Sequence, residues 1–456
     1  MNFGGRLFFL YEIKEALLGN TLARLFFSFL SRGKVCLLDL QGASFAALAE
    51  TLRLKRDLSA LSPSVVPSWV DARTRRYPPG YVQPWQQLLH SYKNTKLFLV
   101  HRDKYCRFGV QDRLRIRQPK KNPPPERQGD LLVLKPWCGS REKGVILLNF
   151  DETVDKFFAL FDVEKIARQY RLVVEPSAWG YQQARMYLLR GLPTEVVVQA
   201  QYHQDYNYIM SLGGSLRAIR LGAGDWADPD IFTSGKETEK QYDVVMIANW
   251  LKWKRHRLLF QAIGQLKEKI SKVALIGYPI EGRTSREILE LAKRYGVVNK
   301  IELFENISPD EVARLVRCSK FGVMLSKKEG ANRGIYECFF SDVPVVLTAR
   351  NIGVNRDHIN AMTGVLAEDD RLAETIAMML EKHGEMQPRA WALANTGAER
   401  SSKTLNYFLR GLAEAKGERW TQDIFPKKNV PTPAYCNEQD RLAADQEITR
   451  LIDFLL

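Results

Sequence analysis

The chain is poor in the residues that build metal centres and covalent scaffolds. Among 456 residues there are six cysteines and six histidines. Cys36, Cys106, Cys138, Cys318, Cys338 and Cys436 are scattered without a Cys-x-x-Cys, which argues against a zinc ribbon or a disulfide framework and for reduced, mostly buried thiols. No metal-ligand spacing emerges, so no metal site is expected. Long apolar runs are also missing. Clusters such as Leu25–Leu30 fall far short of the ~20 residues that cross a bilayer, and the N-terminus lacks a basic region leading into an apolar core and a small-residue cleavage site. The expectation is a cytoplasmic protein. Nucleic-acid module signatures and the interleaved aromatics of a base-stacking platform are absent as well, so no nucleic-acid partner is expected.

What is present is ordinary globular chemistry with one bias. A hydrophobic fraction of 45% and a charged fraction of 26% suit folded domains rather than disorder, and the length allows two or three of them. The bias is a formal net charge of +15. Residues 102–127 carry nine Lys/Arg against three Asp/Glu around Gln118-Pro-Lys-Lys-Asn-Pro-Pro-Pro125. A solvated basic loop and a contact with an anionic membrane surface both fit this stretch.

The two halves read differently. Strand-length apolar runs at 242–248, 272–277, 300–304, 321–325, 344–347 and 364–366 alternate with helical periodicity such as Arg257–Lys269 and Ser285–Tyr295. That pattern implies a parallel sheet with helices on both faces, a Rossmann-like domain. Ser308-Pro-Asp-Glu311 reads as a helix start with serine at the N-cap, proline at the next position and a capping box closed by Glu311. The N-terminal half offers strands at 34–40, 96–100, 130–134, 144–149, 171–175, 195–199 and 217–221 and helices at 6–31, 43–58, 153–169 and 178–190, with irregular insertions at 60–95 and 101–129. Polar Thr233–Gln241 serves as the linker. The expected division is an N-terminal domain over 1–234, a C-terminal domain over 235–410 and a tail over 411–456.

The most informative segment is Ser326-Lys-Lys-Glu-Gly-Ala-Asn-Arg-Gly-Ile-Tyr-Glu337. Phe321–Leu325 before it has strand length, and the glycines at 330 and 334 open a loop into a helix. Glu329 is thus expected at a strand's carboxyl end and Glu337 about two turns into the helix. Ligands of open parallel sheets bind outside those strand ends, where helix N-termini present free N–H groups. A carboxylate there accepts two hydrogen bonds from adjacent hydroxyls and so selects a vicinal diol.

With its surroundings, this segment resembles the retaining GT-B glycosyltransferases of the family-4 (glycosyl transferases group 1) type. Glu329 and Glu337 match that family's Glu-x7-Glu pair, and Asp342-Val-Pro-Val-Val346 matches its Gly-x-Pro-Val-Val, with aspartate at 342 where glycine is usual. Tyr242–Asn249, Val273–Gly277, Lys300–Phe304 and Ser308–Leu315 follow the family's order over about 240–400. Ala248–His256 aligns with its Gly-Arg-x4-Lys-Gly motif: Lys254 falls on the lysine, Asn249 on the arginine and Arg255 on the final glycine. Asparagine hydrogen-bonds a phosphate without neutralising it, so Arg255 or Arg333 is the expected replacement cation.

The resemblance implies an α/β GT-B fold, with two Rossmann-like domains facing across a cleft and C-terminal helices crossing back to the first. It implies transfer of a sugar from a nucleotide-sugar donor to a hydroxyl acceptor, glycan or lipid-linked, with retention of configuration and no metal or other cofactor. No Asp-x-Asp motif stands at the strand ends of the C-terminal half, in keeping with the last point. Glu329 would hold the donor sugar with the backbone N–H groups of Gly330 and Ala331, Glu337 the ribose, Lys254 the diphosphate; Ser326 would shape the loop. Gly277 and Ile307 would approach the base through main chain. In the N-terminal half, Gly4 and Gly5 resemble the glycine pair that the family uses near the phosphates, and Glu175 and His203 are candidates for meeting acceptor or sugar. Two rival readings stay open: a catalytically weakened relative acting as a partner subunit, and a nucleotide-sugar epimerase with the same fold.

Overall fold

A computed structural model describes the chain except residues 1–20, 60–65, 75–81, 107–130, 178–179, 235–237, 267, 330–331 and 431. Gly4, Gly5, Gly330 and Ala331 lie outside the described residues, as does most of the basic 102–127 stretch. The chain divides into two compact units. Both are α/β, with parallel strands covered by helices, as the sequence implies.

The C-terminal unit is formed by Leu221–Thr404 with Pro426–Cys436. Number the strands in chain order: β1 Leu131–Lys135, β2 Gly144–Asn149, β3 Tyr170–Glu175, β4 Val196–Gln199, β5 Leu216–Ile219, β6 Tyr242–Ile247, β7 Val273–Gly277, β8 Ile301–Glu305, β9 Ser319–Met324, β10 Val345–Thr348 and β11 Gly364–Ala367. In this unit β6–β11 make one parallel sheet ordered β11-β10-β9-β6-β7-β8. Successive residues serve opposite faces: Val245, Ala274 and Val345 enter one apolar core, while Val244, Met246, Val273, Leu275 and Val346 enter the other, as the two-residue repeat of a strand requires. Chain order reverses between β6 and β9. That reversal is the topological switch point, outside whose carboxyl ends ligands of such sheets bind.

Local signals set the helices around it. Ser308 caps the Pro309–Arg317 helix by accepting a hydrogen bond from the Glu311 N–H at 3.2 Å. The expected capping box is not closed through the Glu311 side chain, because that carboxylate takes two hydrogen bonds from Arg314. Asn332 caps the Arg333–Phe340 helix by accepting from the Gly334 N–H at 2.8 Å. Glu337 therefore stands little more than one turn into that helix rather than two.

The N-terminal unit contains the described residues of Arg6–Arg220 together with Leu405–Phe425 and Asn437–Leu456. Its sheet runs β1-β2-β3-β4-β5 in chain order, with β1 antiparallel to β2 and the rest parallel. Two expected strands are helical. Residues 34–40 end the helix Thr21–Leu40, and 96–100 open the helix Lys96–Cys106. In the first, Ser31 and Val35 are buried one turn apart, whereas Cys36 and Leu37 are exposed. In the second, Thr95 Oγ1 accepts from the Phe98 N–H at 3.1 Å, a helix-start bond. Short apolar runs fit strand and helix equally well by sequence pattern, and the cap and the one-sided burial decide. The supposed irregular stretch 60–95 also contains the helices Ser68–Thr74 and Val82–Lys93.

The end of the chain returns to this sheet. The Phe425 N–H donates to Leu134 O at 2.6 Å, Arg419 N–H to Arg141 O at 2.8 Å and Leu456 N–H to Leu160 O at 2.8 Å. Charges fasten the return: buried Arg171 meets both Glu195 and Glu418, exposed Lys416 meets Glu195, and buried Glu142 accepts from Lys135 and from Thr421. Among the described residues no helix is long and apolar enough to cross a membrane. Among the described residues Cys318 and Cys338 are buried, whereas against expectation Cys36, Cys138 and Cys436 are exposed.

Candidate functional site

Two segments leave the switch point of the C-terminal unit. After β6 the chain passes Asn249 into a single 3-10 turn, Lys252–Lys254; after β9 it runs through Ser326 to Glu329. These segments bring three expected residues together. Lys254 Nζ is ion-paired with Glu329 Oε1, and the Ser326 hydroxyl donates to the same oxygen. The Lys254 and Glu329 side chains are only 11% and 12% exposed, so their attraction is weakly screened. One turn into its helix Glu337, buried, accepts from Arg333 Nε.

Two residues that sequence alone did not single out hold the Glu329 loop. Asn351, buried beyond β10, donates from Nδ2 to Ser326 O at 2.7 Å, and the Glu329 N–H donates to Ile352 O at 2.9 Å. Gly353 follows at φ 109°, and a Cβ there would lie 1.6 Å from Glu329 O. Glycine is therefore required both by the backbone angle and by the close approach. The signal in the sequence is the Asn-Ile-Gly turn chemistry directly after a strand.

The remaining candidates are placed as follows. Asn249 is half-buried and its Oδ1 accepts from the Leu251 N–H at 3.3 Å. Arg255 is turned to Asp369, ion-paired at 2.5 Å, and donates to Leu325 O at 3.0 Å. Burial opposes ionisation of Asp369, but hydrogen bonds from Arg255 and Thr348 hold its carboxyl below the usual range. His256, next in the chain and buried, is pushed down to about 3, by desolvation first and then by Lys254 and Arg283. It is therefore a neutral imidazole and adds no charge to the site. Gly277 ends β7, where a side chain would meet Ala248 O at 2.3 Å and the Trp250 ring at 2.7 Å; its carbonyl accepts from the Asn306 N–H at 3.0 Å, bringing 306–307 beside it. Ile307 packs, partly buried, against the core.

In the N-terminal unit Glu175 is buried at the end of β3. His203 is the exposed first residue of the helix His203–Leu212, with Nε2 2.9 Å from the Asn207 amide. Among the described residues no cluster of three or more His, Cys, Asp or Glu is arranged to hold a metal.

Residues 228–397 match the family described as Glycosyl transferases group 1. The matched residues lie within the C-terminal unit. The match spans the switch point, with Asn249, Lys254, Ser326, Glu329 and Glu337 inside it, and supports sugar transfer as the chemistry of this unit. No curated protein matches the chain. Among solved structures, sucrose-phosphate synthase from Thermosynechococcus elongatus is similar at 16% identity and a TM-score of 0.47, covering 59% of this chain and 74% of its own. Anabaena HepE in complex with UDP and glucose is similar at 16% identity and a TM-score of 0.46, over 58% and 77%. A glycosyltransferase from Rickettsia africae is similar at 17% identity and a TM-score of 0.46, over 58% and 76%.

Proposed function

We propose that the protein transfers a sugar from a nucleotide-sugar to a hydroxyl of a glycan or lipid-linked acceptor, with retention of configuration and without a metal. The observation that carries this reading is the convergence of Lys254, Ser326 and Glu329 at the switch point of a glycosyltransferase domain. A departing nucleoside diphosphate needs positive charge aimed at its oxygens. Lys254 supplies it. Glu329 takes hydroxyls of the donor sugar and Glu337 those of the ribose, each carboxylate accepting two hydrogen bonds from a diol. In a front-face transfer the departing phosphate takes the acceptor proton, so no protein base is needed. The acceptor-side candidates are Glu175 and His203 in the N-terminal unit. The net charge of +15 fits work at an anionic membrane face, the cytoplasmic leaflet being the one in view.

One observation favours a second reading. Asn249 replaces the motif's arginine, and Arg255 is committed to Asp369 and Leu325 O, so the diphosphate would meet fewer cations than the resembled family provides. A weakened relative acting as a binding subunit would fit that. Thermal-shift and calorimetric titration with a panel of nucleotide-sugars, followed by detection of a new glycosidic bond and released nucleoside diphosphate, decides between them. Binding with turnover supports the transferase; binding without turnover or slow donor hydrolysis supports the subunit.

A further inference from the structure

The two charges assigned to opposite ends of the donor are bonded to each other. We infer that the Lys254–Glu329 pair makes this site selective for the intact nucleotide-sugar over its own nucleoside diphosphate product; this rests on the donor-site reading above. Glu329 is the fixed member. Its N–H is held by Ile352 O, Gly353 packs against its carbonyl and the Ser326 hydroxyl donates to its carboxylate. Ser326 is fully buried and itself tied by Asn351. Lys254 is the movable member, an ammonium on a flexible four-carbon stem.

A diphosphate entering the site competes with Glu329 for that ammonium. If it brings a sugar, vicinal hydroxyls donate to the carboxylate as Lys254 leaves, and Glu329 stays compensated. If it brings none, a largely buried carboxylate loses its cation and keeps, among the described residues, the Ser326 hydroxyl, which is unfavourable. Arg255 does not substitute, being held by Asp369 and Leu325 O. After transfer the sugar has gone to the acceptor, the hydroxyls no longer face Glu329, and re-forming the ion pair drives out the nucleoside diphosphate. Glu329 thus determines specificity at two steps, donor selection and product release.

The test is calorimetric titration of the full chain with UDP, GDP and ADP and with their glucose conjugates, in wild type, Glu329→Gln and Ser326→Ala, with thermal unfolding to confirm folding. The expected result is that Glu329→Gln binds the recognised nucleoside diphosphate about tenfold more tightly, the scale of removing a charged competitor, and loses the preference for the conjugate. Ser326→Ala keeps the pair but removes the hydroxyl that would still compensate Glu329 when a sugar-free diphosphate takes Lys254, so it should weaken binding of the free diphosphate and widen the preference for the conjugate. If wild type prefers the conjugate and Glu329→Gln holds the free diphosphate no more tightly, the selectivity proposal is overturned and the transferase reading stands. If wild type binds neither class across the panel, the donor-site reading itself fails.

Discussion

Two networks of buried charge, one in each unit, sit at opposite ends of their sheets. In the C-terminal unit the ion pairs of the site sit beyond the carboxyl ends of β6 and β9, where the strand order reverses. In the N-terminal unit Glu142, Arg171 and Glu195 lie at or before the amino ends of β2, β3 and β4, in a sheet that never reverses. There they fasten the returning segment 405–425 through Glu418, Lys416 and Thr421. The lesson is that a buried charge pair is not by itself a functional sign. At an amino end, closed by the chain's own C-terminal segment, it holds structure; at a switch point, on a loop, it is available for exchange with a ligand.

The sharpest way to break this comparison is to remove one charge from each network. Arg171→Met leaves Glu195 and Glu418 without their shared cation, and loss of one partner of a buried pair costs about 3–5 kcal/mol. Chemical denaturation should show a loss of that order. Glu329→Gln, which leaves the flexible Lys254 ammonium to turn to solvent, should instead leave the denaturation midpoint nearly unchanged while transfer falls by 10²-fold or more, on the scale of ~2.7 kcal/mol for a lost transition-state contact. Lys254→Ala should lose transfer to the same extent and also lower the midpoint, because it strips a largely buried carboxylate of its cation. If Arg171→Met were neutral to stability, or Glu329→Gln neutral to transfer, the division between holding and exchanging charges would be wrong.

Gly353→Ala tests the support beneath the exchanging pair. The substitution places a Cβ against Glu329 O at a backbone angle of φ 109°, so it is strained in two ways, at about 1–3 kcal/mol. Donor affinity should drop together with stability, because the Glu329 loop must shift. A calorimetric titration beside a melting curve reads both. A variant that melts lower and still binds the donor as wild type would detach Gly353 from the site.

The holding network has its own pH signature. Burial raises the Glu142 pKa, but hydrogen bonds from Lys135 and Thr421 outweigh it and bring the carboxyl down to about 2. A folded-state value depressed below the ordinary carboxylate range means stability that is fully present above about 4.5 and is lost as pH falls through about 2. Melting temperature should therefore decline across that window. Glu142→Gln should flatten the decline and lower the plateau; an unchanged slope would take Glu142 out of the network.

How much of this was legible in the sequence follows from what each unit asks of its residues. The inner strands β6, β7, β9 and β10 of the C-terminal sheet are buried on both faces and so read as continuous apolar runs, which is why they and the carboxylates behind β9 could be located. In the N-terminal unit, Lys34–Leu40 and Lys96–Val100 are equally apolar, and only burial along one helical face and the Thr95 cap make them helices. The Arg255–Asp369 pair was hidden for another reason: a long-range partner leaves no local pattern, so the arginine read as a spare cation for phosphate.

Both departures from the family's glycines turn out to occupy the same kind of backbone, with Arg255 at φ 63° and Asp342 at φ 59°. The left-handed geometry persists although the residue that favours it is gone. Aspartate tolerates that region better than most residues, and Asp342 Oδ1 also accepts from the Arg389 N–H at 3.1 Å. Asp342→Gly thus relieves about 1 kcal/mol of strain and removes a hydrogen bond of about 1 kcal/mol, so its net effect should be the smallest of the set. A melting shift of a few degrees at most, with donor binding unchanged, is the expected result. A large destabilisation would mean that the aspartate carries more than a turn.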